Sequence, residues 1–334
     1  MLKNTFKIDS LWYQQNWLSC LLLPFTWCYR LIIFLRCFFY QIGIFKTYHS
    51  PIPIIVVGNI TVGGTGKTPL VIWLVDFLCQ HGFQPAVISR GYKAKCTTFP
   101  HQITKDDSAE MVGDEALLIA KHCKCPVMIS PKRVTAVKKL LANKTCNIIV
   151  SDDGLQHYAL GRDIEIAVID GARRFGNGFC LPTGPLREPQ KRLNTVDFVV
   201  INGKTATKET GYKMQLQPIG FYDLKAPDTI QPPKLLHNQT VHAVAGIGNP
   251  ERFFQTLRDL KIKLIPHPFP DHHDFSPRDL EFGDEKIIVM TEKDAVKCGD
   301  FTSDKIKPKI LVLKVAAEMN QEFGINLMRK LQST

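Results

Sequence analysis

An α/β fold with a mostly parallel sheet is predicted by three observations. Short apolar runs at 54–57 and 86–88, and the run 147–150 behind its leading Asn147, have the character of strands buried on both faces. They alternate with helix-like stretches, and further strand-like runs at 165–169, 197–201, 241–245, 286–290 and 310–314 carry the alternation to the C-terminal end. Glycines and polar residues follow several runs directly, the place where open parallel sheets bind ligands.

The chain of 334 residues has room for two domains. Residues 50–225 are expected to form a core domain and 226–334 a smaller C-terminal α/β domain. The boundary is placed in the weakly patterned stretch 217–237, which holds Pro218, Pro227, Pro232 and Pro233. A composition 45% hydrophobic and 22% charged excludes a disordered chain. The net charge of +11 favours anionic partners. No helix-turn-helix, zinc finger or RNP-like motif is present, so nucleic acid is not expected among them. The ten cysteines contain no CxxC pair, which argues against zinc ribbons and thioredoxin-like chemistry.

Residues 1–49 stand apart. Trp17 to Phe45 is strongly apolar, yet Arg30 and Arg36 interrupt it and Pro24 would bend a helix. The longest uncharged apolar stretch, Trp17 to Tyr29, is shorter than the roughly 20 residues a spanning helix needs. Thr26, Arg30, Cys37 and Gln41 fall along one helical stripe, with Trp12, Trp17 and Trp27 suited to the headgroup region. Lys3, Lys7, Arg30, Arg36 and Lys46 against Asp9 leave the segment at +4. A helix lying on an anionic membrane surface is the expectation, ahead of a span or a buried helix.

The first buried run opens into Gly58-Asn59-Ile60-Thr61-Val62-Gly63-Gly64-Thr65-Gly66-Lys67-Thr68 and then a helix-like stretch. Strand, glycine-rich loop and helix are the context of a P-loop. Backbone N–H groups of Gly63, Gly64, Thr65 and Gly66 can turn inward on phosphate. Lys67 can reach the β- and γ-phosphates of ATP, and the Thr68 hydroxyl can ligate Mg²⁺. Thr61 stands where the common motif has its first glycine, so the loop resembles the GGxGKT variant of chromosome-partition and division-site ATPases. Those carry a signature lysine at the position of Val62, which weakens that reading here. The run 147–150 ends in Ser151-Asp152-Asp153-Gly154-Leu155-Gln156-His157, a Walker B arrangement about 85 residues beyond the P-loop. Asp114 and Glu115, ahead of the helix-like ALLIAKHC, read locally as acids in a first helical turn. His272 and His273, with His267 nearby, lack the further ligands a zinc site would need.

Eight motifs together resemble one family. GNITVGGTGKTP, ISRGY, VGDEALLIA, SDDGLQH, GNGFCLPTGPLREP, AGIGNPERFF, HPFPDHHDF and TEKDAVK occur in the order seen in the tetraacyldisaccharide 4′-kinases of lipid A synthesis. The resemblance implies a P-loop NTPase-like core and a smaller C-terminal domain across a cleft. It implies transfer of the ATP γ-phosphoryl to an acylated glucosamine disaccharide 1-phosphate at the cytoplasmic face of the inner membrane. It also implies Asp114 as the catalytic base and His272 as its partner, with Glu115 the alternative. Because these lie about 160 residues apart, their pairing is expected to need closure of the C-terminal domain. Thr68, Asp152 and Glu188 are the candidates for Mg²⁺, and Arg187 and Arg90 for neutralising the transferring phosphate. Asp153 and His157 are further site candidates. Lys132-Arg133 and Arg173-Arg174 are candidates for the acceptor's 1-phosphate. A monomer is expected. The reading from another class is a membrane-associated P-loop regulatory ATPase.

Overall fold

The alternation of strand and helix in the sequence is the alternation of the structure, a computed structural model that describes residues 12–13, 18–204, 210–299 and 308–333. The chain runs through α1 (Leu18–Gln41), β1 (Ile54–Gly58), α2 (Lys67–Gln80), β2 (Pro85–Ser89), β3 (His101–Gln102), α3 (Ala109–Val112) and α4 (Asp114–His122). It continues through β4 (Val127–Ile129), α5 (Arg133–Asn143), β5 (Ile148–Ser151), β6 (Ile164–Asp170), β7 (Phe198–Asn202), β8 (Tyr212–Asp223) and β9 (Ala226–Gln231). The last elements are β10 (Thr240–Ala245), α6 (Pro250–Asp259), β11 (Lys263–Pro268), β12 (Ile288–Thr291), α7 (Glu292–Ala295), β13 (Ile310–Met319) and α8 (Gln321–Gln332).

The elements gather into two compact units, each built from non-consecutive segments. One comprises Met1–Lys67, Asn147–Gln215 and Met319–Thr334; the other comprises Thr68–Cys146 and Leu216–Glu318. This differs from the sequential division at 225/226, because 68–146 shares a unit with 216–318. The physical reason lies in charged contacts between α4 and α7. Lys293 pairs with Glu115 at 2.9 Å and His122 with Glu292 at 2.9 Å, between residues 178 and 170 positions apart.

In the first unit β1 lies between β5 and β6, all parallel, with β7 beside β6 and the start of β8 beside β7. Every residue of β1, β5 and β6 is buried, which explains the unbroken apolar run of β1 and the largely apolar character of β5 and β6. Phe323 of α8 closes this unit edge-on against Phe198 and Tyr212.

In the second unit β2 pairs in parallel with β4, and β3 runs antiparallel to β4. A parallel set places β10 between β11 and β12, with β13 beside β12. Phe221, Phe253, Phe254, Leu257, Val289 and Leu311 form its main core. The stretch 217–237, expected to be a weakly structured boundary, is largely a β8–β9 hairpin joined by antiparallel pairing of Phe221 with Gln231. Pro218 inside β8 masked its alternation of inward and outward residues, with Pro227 in β9 and Pro232 and Pro233 after it.

Helix α1 has 24 residues with Pro24 inside it, and is long and apolar enough to cross a membrane. One stripe docks on its own unit. Buried Thr26 donates to Cys180 O and Thr183 Oγ1, Tyr29 donates to Arg187 O at 3.1 Å, and Arg36 donates to Gln156 O at 3.1 Å. Tyr40 packs near the Tyr158 ring. The docked stripe runs through Thr26, Tyr29, Cys37 and Tyr40, with exposed Arg36 reaching in at its edge; it takes up Thr26 and Cys37 of the expected polar stripe and leaves Arg30 and Gln41 exposed. Tyr29, which packs and donates, extends the docked side. Leu21, Phe25, Trp27, Leu31, Ile32 and Phe34 are each more than half exposed, a contiguous apolar face of the kind that marks a membrane or partner surface. Lys3, Lys7, Asp9 and Trp17 lie outside the described residues.

Candidate active site

β1 delivers the chain into the glycine-rich loop, and the segment 185–187 runs alongside it. Val62 N donates to Pro185 O at 2.8 Å, Arg187 N donates to Ile60 O at 2.7 Å, and Thr61 bridges Leu186. These bonds bring Arg187 and Glu188 to the loop. On its other flank Asn202, at the end of β7, donates to Thr65 O at 2.9 Å. Gly66 has φ +94°, and a Cβ there would fall 2.0 Å from Asn202 Nδ2. Only glycine lets the backbone pass so close.

β5 places Asp152 and Asp153 beyond its end. Asp152 is 1% exposed. Asp153 occupies left-handed backbone, φ 47°, and its carboxylate receives both Arg187 N–H contacts at 3.1 Å and Lys67 Nζ at 3.4 Å. Glu188, 2% exposed, accepts from the Tyr158 hydroxyl on Oε1 and from Gln156 Nε2 at 2.9 Å on Oε2, with Arg192 Nε 3.8 Å away. Burial and then the Glu188 charge push the Tyr158 hydroxyl well above its usual range, so it stays a donor.

Three buried polar atoms of this region have no hydrogen-bond partner among the described residues: Asn59 Oδ1, Thr65 Oγ1 and Ser151 Oγ. Leaving such a group unsatisfied costs about 1–3 kcal/mol. They lie on the phosphate loop and on the residue before Asp152, so the residues present fit a polyanion with its hydrated cation. Thr68, one residue beyond Lys67 at the start of α2, is half-buried and carries the hydroxyl suited to a hard cation.

The second unit holds the Asp114–His272 pair. Asp114 begins α4, with Gly113 (φ +89°) as its N-cap. A Cβ on Gly113 would lie 2.7 Å from Tyr92 O, so the RGY and GDE segments pack backbone to backbone. Asp114 is 7% exposed; Oδ1 accepts from Glu115 N at 2.9 Å and Oδ2 meets His272 Nδ1 at 2.8 Å. Burial pushes its carboxyl up, but the His272 hydrogen bond and the charges of Lys293 and Lys297 outweigh it and hold the carboxyl below its ordinary value. Both partners lie in one unit, so the pairing does not wait on the domain closure expected from their sequence separation. His272 is itself in left-handed backbone, φ 58°, fixed by its N–H to Gly246 O at 3.2 Å and by Lys93 Nζ donating to its carbonyl at 3.3 Å. Gly246 N donates in turn to buried Asp294 at 3.0 Å. The motifs AGIGN, PDHH and TEKD thus converge on this histidine. Glu115 is paired with Lys293 at 2.9 Å, whereas Asp114 is paired with the histidine.

The remaining candidates divide. Arg90 is exposed beyond β2. Arg133 is only 4% exposed, so it is neither a solvated surface cation nor an open phosphate contact; Lys132 beside it is exposed. Arg173 reaches to 3.8 Å from the Cβ position of Gly63, which puts it with the phosphate loop rather than with a separate acceptor phosphate. Arg174 stacks over Phe175. His157 offers its carbonyl to Arg162 at 2.7 Å. His267 and His273 go to His242 and Asp279 respectively.

Comparison with known proteins decides the family: residues 18–332 match the description "LpxK: Tetraacyldisaccharide-1-P 4'-kinase". The chain belongs to the LpxK family. It is 50% identical over 319 residues to the tetraacyldisaccharide 4'-kinase of Legionella pneumophila strain Corby, covering 96% of this chain and 95% of that protein. It is 50% identical over 293 residues to the protein of that name from Nitrosococcus oceani, covering 88% and 86%. The fold is similar to a crystal structure of LpxK from Aquifex aeolicus in complex with ATP, with a TM-score of 0.77 and 28% identity over 94% of this chain and 99% of that one.

Several residues of this LpxK-family site carry no signal in the local sequence reading. Asn202 could have been found as the polar residue ending an apolar strand. Gln156 and Lys293 lie inside quoted motifs, but only the fold supplies their partners Glu188 and His272. For the loop, Gly66→Ala is expected to cost about 1–3 kcal/mol in strain. A calorimetric titration should record this as a loss of about 5- to 150-fold in ATP affinity, with the protein still folded.

Proposed function

We propose that this chain transfers the γ-phosphoryl group of ATP to the 4′-hydroxyl of an acylated glucosamine disaccharide 1-phosphate. The observation that carries the reading is the Asp114–His272 pair. A nucleotide-driven switch needs a phosphate loop and a metal, but an alcohol acceptor also needs a base, and Asp114 is buried, ionised and oriented for that role. In this reading Asp114 takes the hydroxyl proton as the oxygen bonds to the γ-phosphorus. The bond from that phosphorus to the β–γ bridging oxygen breaks, and ADP leaves with the electron pair. Loop N–H groups and Lys67 hold the triphosphate, and Arg187 neutralises charge on the transferring group.

Magnesium, when bound, would draw charge from the phosphate oxygens. Thr68 and Asp152 are the residues we assign to hold it. Glu188, with both oxygens accepting protein hydrogen bonds, would reach it only through water. Among the acceptor contacts, exposed Arg90 is favoured over buried Arg133.

The exposed face of α1 supports a place on the membrane, and ATP as donor supports the cytoplasmic face of the inner membrane. One stripe of α1 is bonded to protein, which favours a helix lying in the interface over a free span. We propose a monomer, because the phosphate loop and the acid–base pair come from one chain. The test is transfer of radiolabel from γ-labelled ATP to the disaccharide lipid in mixed micelles. Stoichiometric labelling of the lipid is expected; ATP hydrolysis indifferent to glycolipid would overturn the reading.

A further inference from the structure

Lys293 has no part in the steps above, yet it touches the acid–base pair. Its side chain is 15% exposed, and its Nζ lies 2.9 Å from Glu115 Oε1, 3.3 Å from Asp271 Oδ1 and 3.5 Å from His272 Nε2. Thr291 caps α7 through its side chain and fixes the helix from which Lys293 projects. An ammonium group has three donors and no acceptor, and here it meets three acceptor positions.

That chemistry dictates the histidine's proton. A nitrogen facing an ammonium must present a lone pair, so His272 Nε2 is unprotonated. The ring proton then sits on Nδ1, where it donates to Asp114 Oδ2 at 2.8 Å. A rival force comes from Asp271, whose Oδ2 is 3.8 Å from His272 Nε2 and would favour a proton there. Lys293 is closer to the nitrogen and also pairs with Asp271, so it blocks the site and neutralises the competitor together. Opposed by burial, Lys293 is nonetheless pushed above the ordinary lysine value by Glu115, Asp271 and Asp114, and stays charged.

We propose that Lys293 is a positioning residue of the acid–base pair, holding His272 as a neutral imidazole with its proton on Nδ1 directed at Asp114. His272 then orients the base and keeps it ionised rather than carrying a second proton. The charged and titratable groups facing the ring are Asp114 from α4, Lys293 from α7 and Asp271 from its own loop. Tyr92 lies against the ring, Lys93 is on its carbonyl, and Glu115 and Lys297 act through Lys293 and Asp114. The consequence for rate rests on the kinase reading; the protonation state does not.

The experiment is long-range ¹H–¹⁵N correlation on the full chain in detergent, labelled at histidine, without lipid substrate. His272→Gln identifies the signals by their loss. At neutral pH the unsubstituted protein is expected to show Nδ1 protonated and Nε2 bare. In Lys293→Met both nitrogens should be protonated, with the ring charged between Asp114 and Asp271. The same variant should lose about 10²-fold in kcat with the KM for ATP within about threefold, and Lys293→Arg should restore the bare Nε2. A protonated Nε2 in the unsubstituted protein, or a bare one in Lys293→Met, overturns the proposal. Should Lys293→Met not fold, the unsubstituted and Lys293→Arg spectra still decide it. If the chain fails to phosphorylate the glycolipid, the kinase reading falls while the tautomer result stands.

Discussion

Asp114→Asn is expected to lower kcat for phosphoryl transfer by about 10²–10⁴-fold, with ATP affinity within about threefold of the unsubstituted protein. The amide matches the carboxylate in size and can still accept from Glu115 N, so α4 keeps its first turn. It cannot take the acceptor's proton, and its carbonyl is a weaker partner for His272. Steady-state kinetics with lipid and ATP varied separately check the split; an unchanged kcat removes Asp114 as the base. The carboxyl also ties pH to stability. Its value in the folded chain is below its ordinary one, so it contributes stability fully above the ordinary carboxylate value near 3.8 and loses it as pH falls through the lowered folded value. The base is therefore ionised throughout the neutral range, and the acid side of the rate profile should be set by other groups. Asp114→Asn should flatten stability below about pH 4, as measured by thermal unfolding across pH.

Lys67→Ala is expected to reduce kcat/KM for ATP by about 10²–10³-fold. Lys67 is 8% exposed at the start of α2, and in the proposed reading its ammonium neutralises the β- and γ-phosphates. Without it Asp153 keeps Arg187 alone, so the transferring group would compete for that arginine as well. Both kcat and KM for ATP should worsen, unlike Asp114→Asn, which should change kcat alone. Retention of normal kcat/KM would remove Lys67 from the phosphate site.

What could be read beforehand was what is local. Strand, loop and helix around Lys67 follow one another within about a dozen residues, and the glycines, lysine and threonine of the loop each have a chemical reason to be there. The strands β1 and β5 announced themselves through short apolar runs, and β6 through a strand-like run despite Glu165 within it. The pairing of Asp114 with His272 was not legible from pattern, since the two are 158 positions apart and each has an ordinary local reading; the family resemblance supplied it. Nor could local pattern place 68–146 with 216–318, because the ties are single charged pairs such as Lys293 with Glu115. Glu188 was a candidate for direct or water-mediated metal contact; that Tyr158 and Gln156, about 30 residues earlier, donate to its two oxygens could be seen only in the fold. In α1 the polar stripe supplied Thr26 and Cys37 of the docked side, while Tyr29 and Tyr40 beside them were not legible as docking residues because their rings read equally as membrane-interface residues.

The sharing of Asp153 by Lys67 and Arg187 has a consequence for how the nucleotide enters. The phosphate loop resembles an ion-exchange resin loaded with its own counterion. In the proposed reading an arriving triphosphate meets Lys67 and Arg187 already paired with Asp153, and displaces that carboxylate. The exchange offsets part of the electrostatic gain of binding, so discrimination would rest on the number and placement of phosphate oxygens. Inorganic phosphate and sulfate should then displace the carboxylate less readily than ATP does, as competition titration would measure.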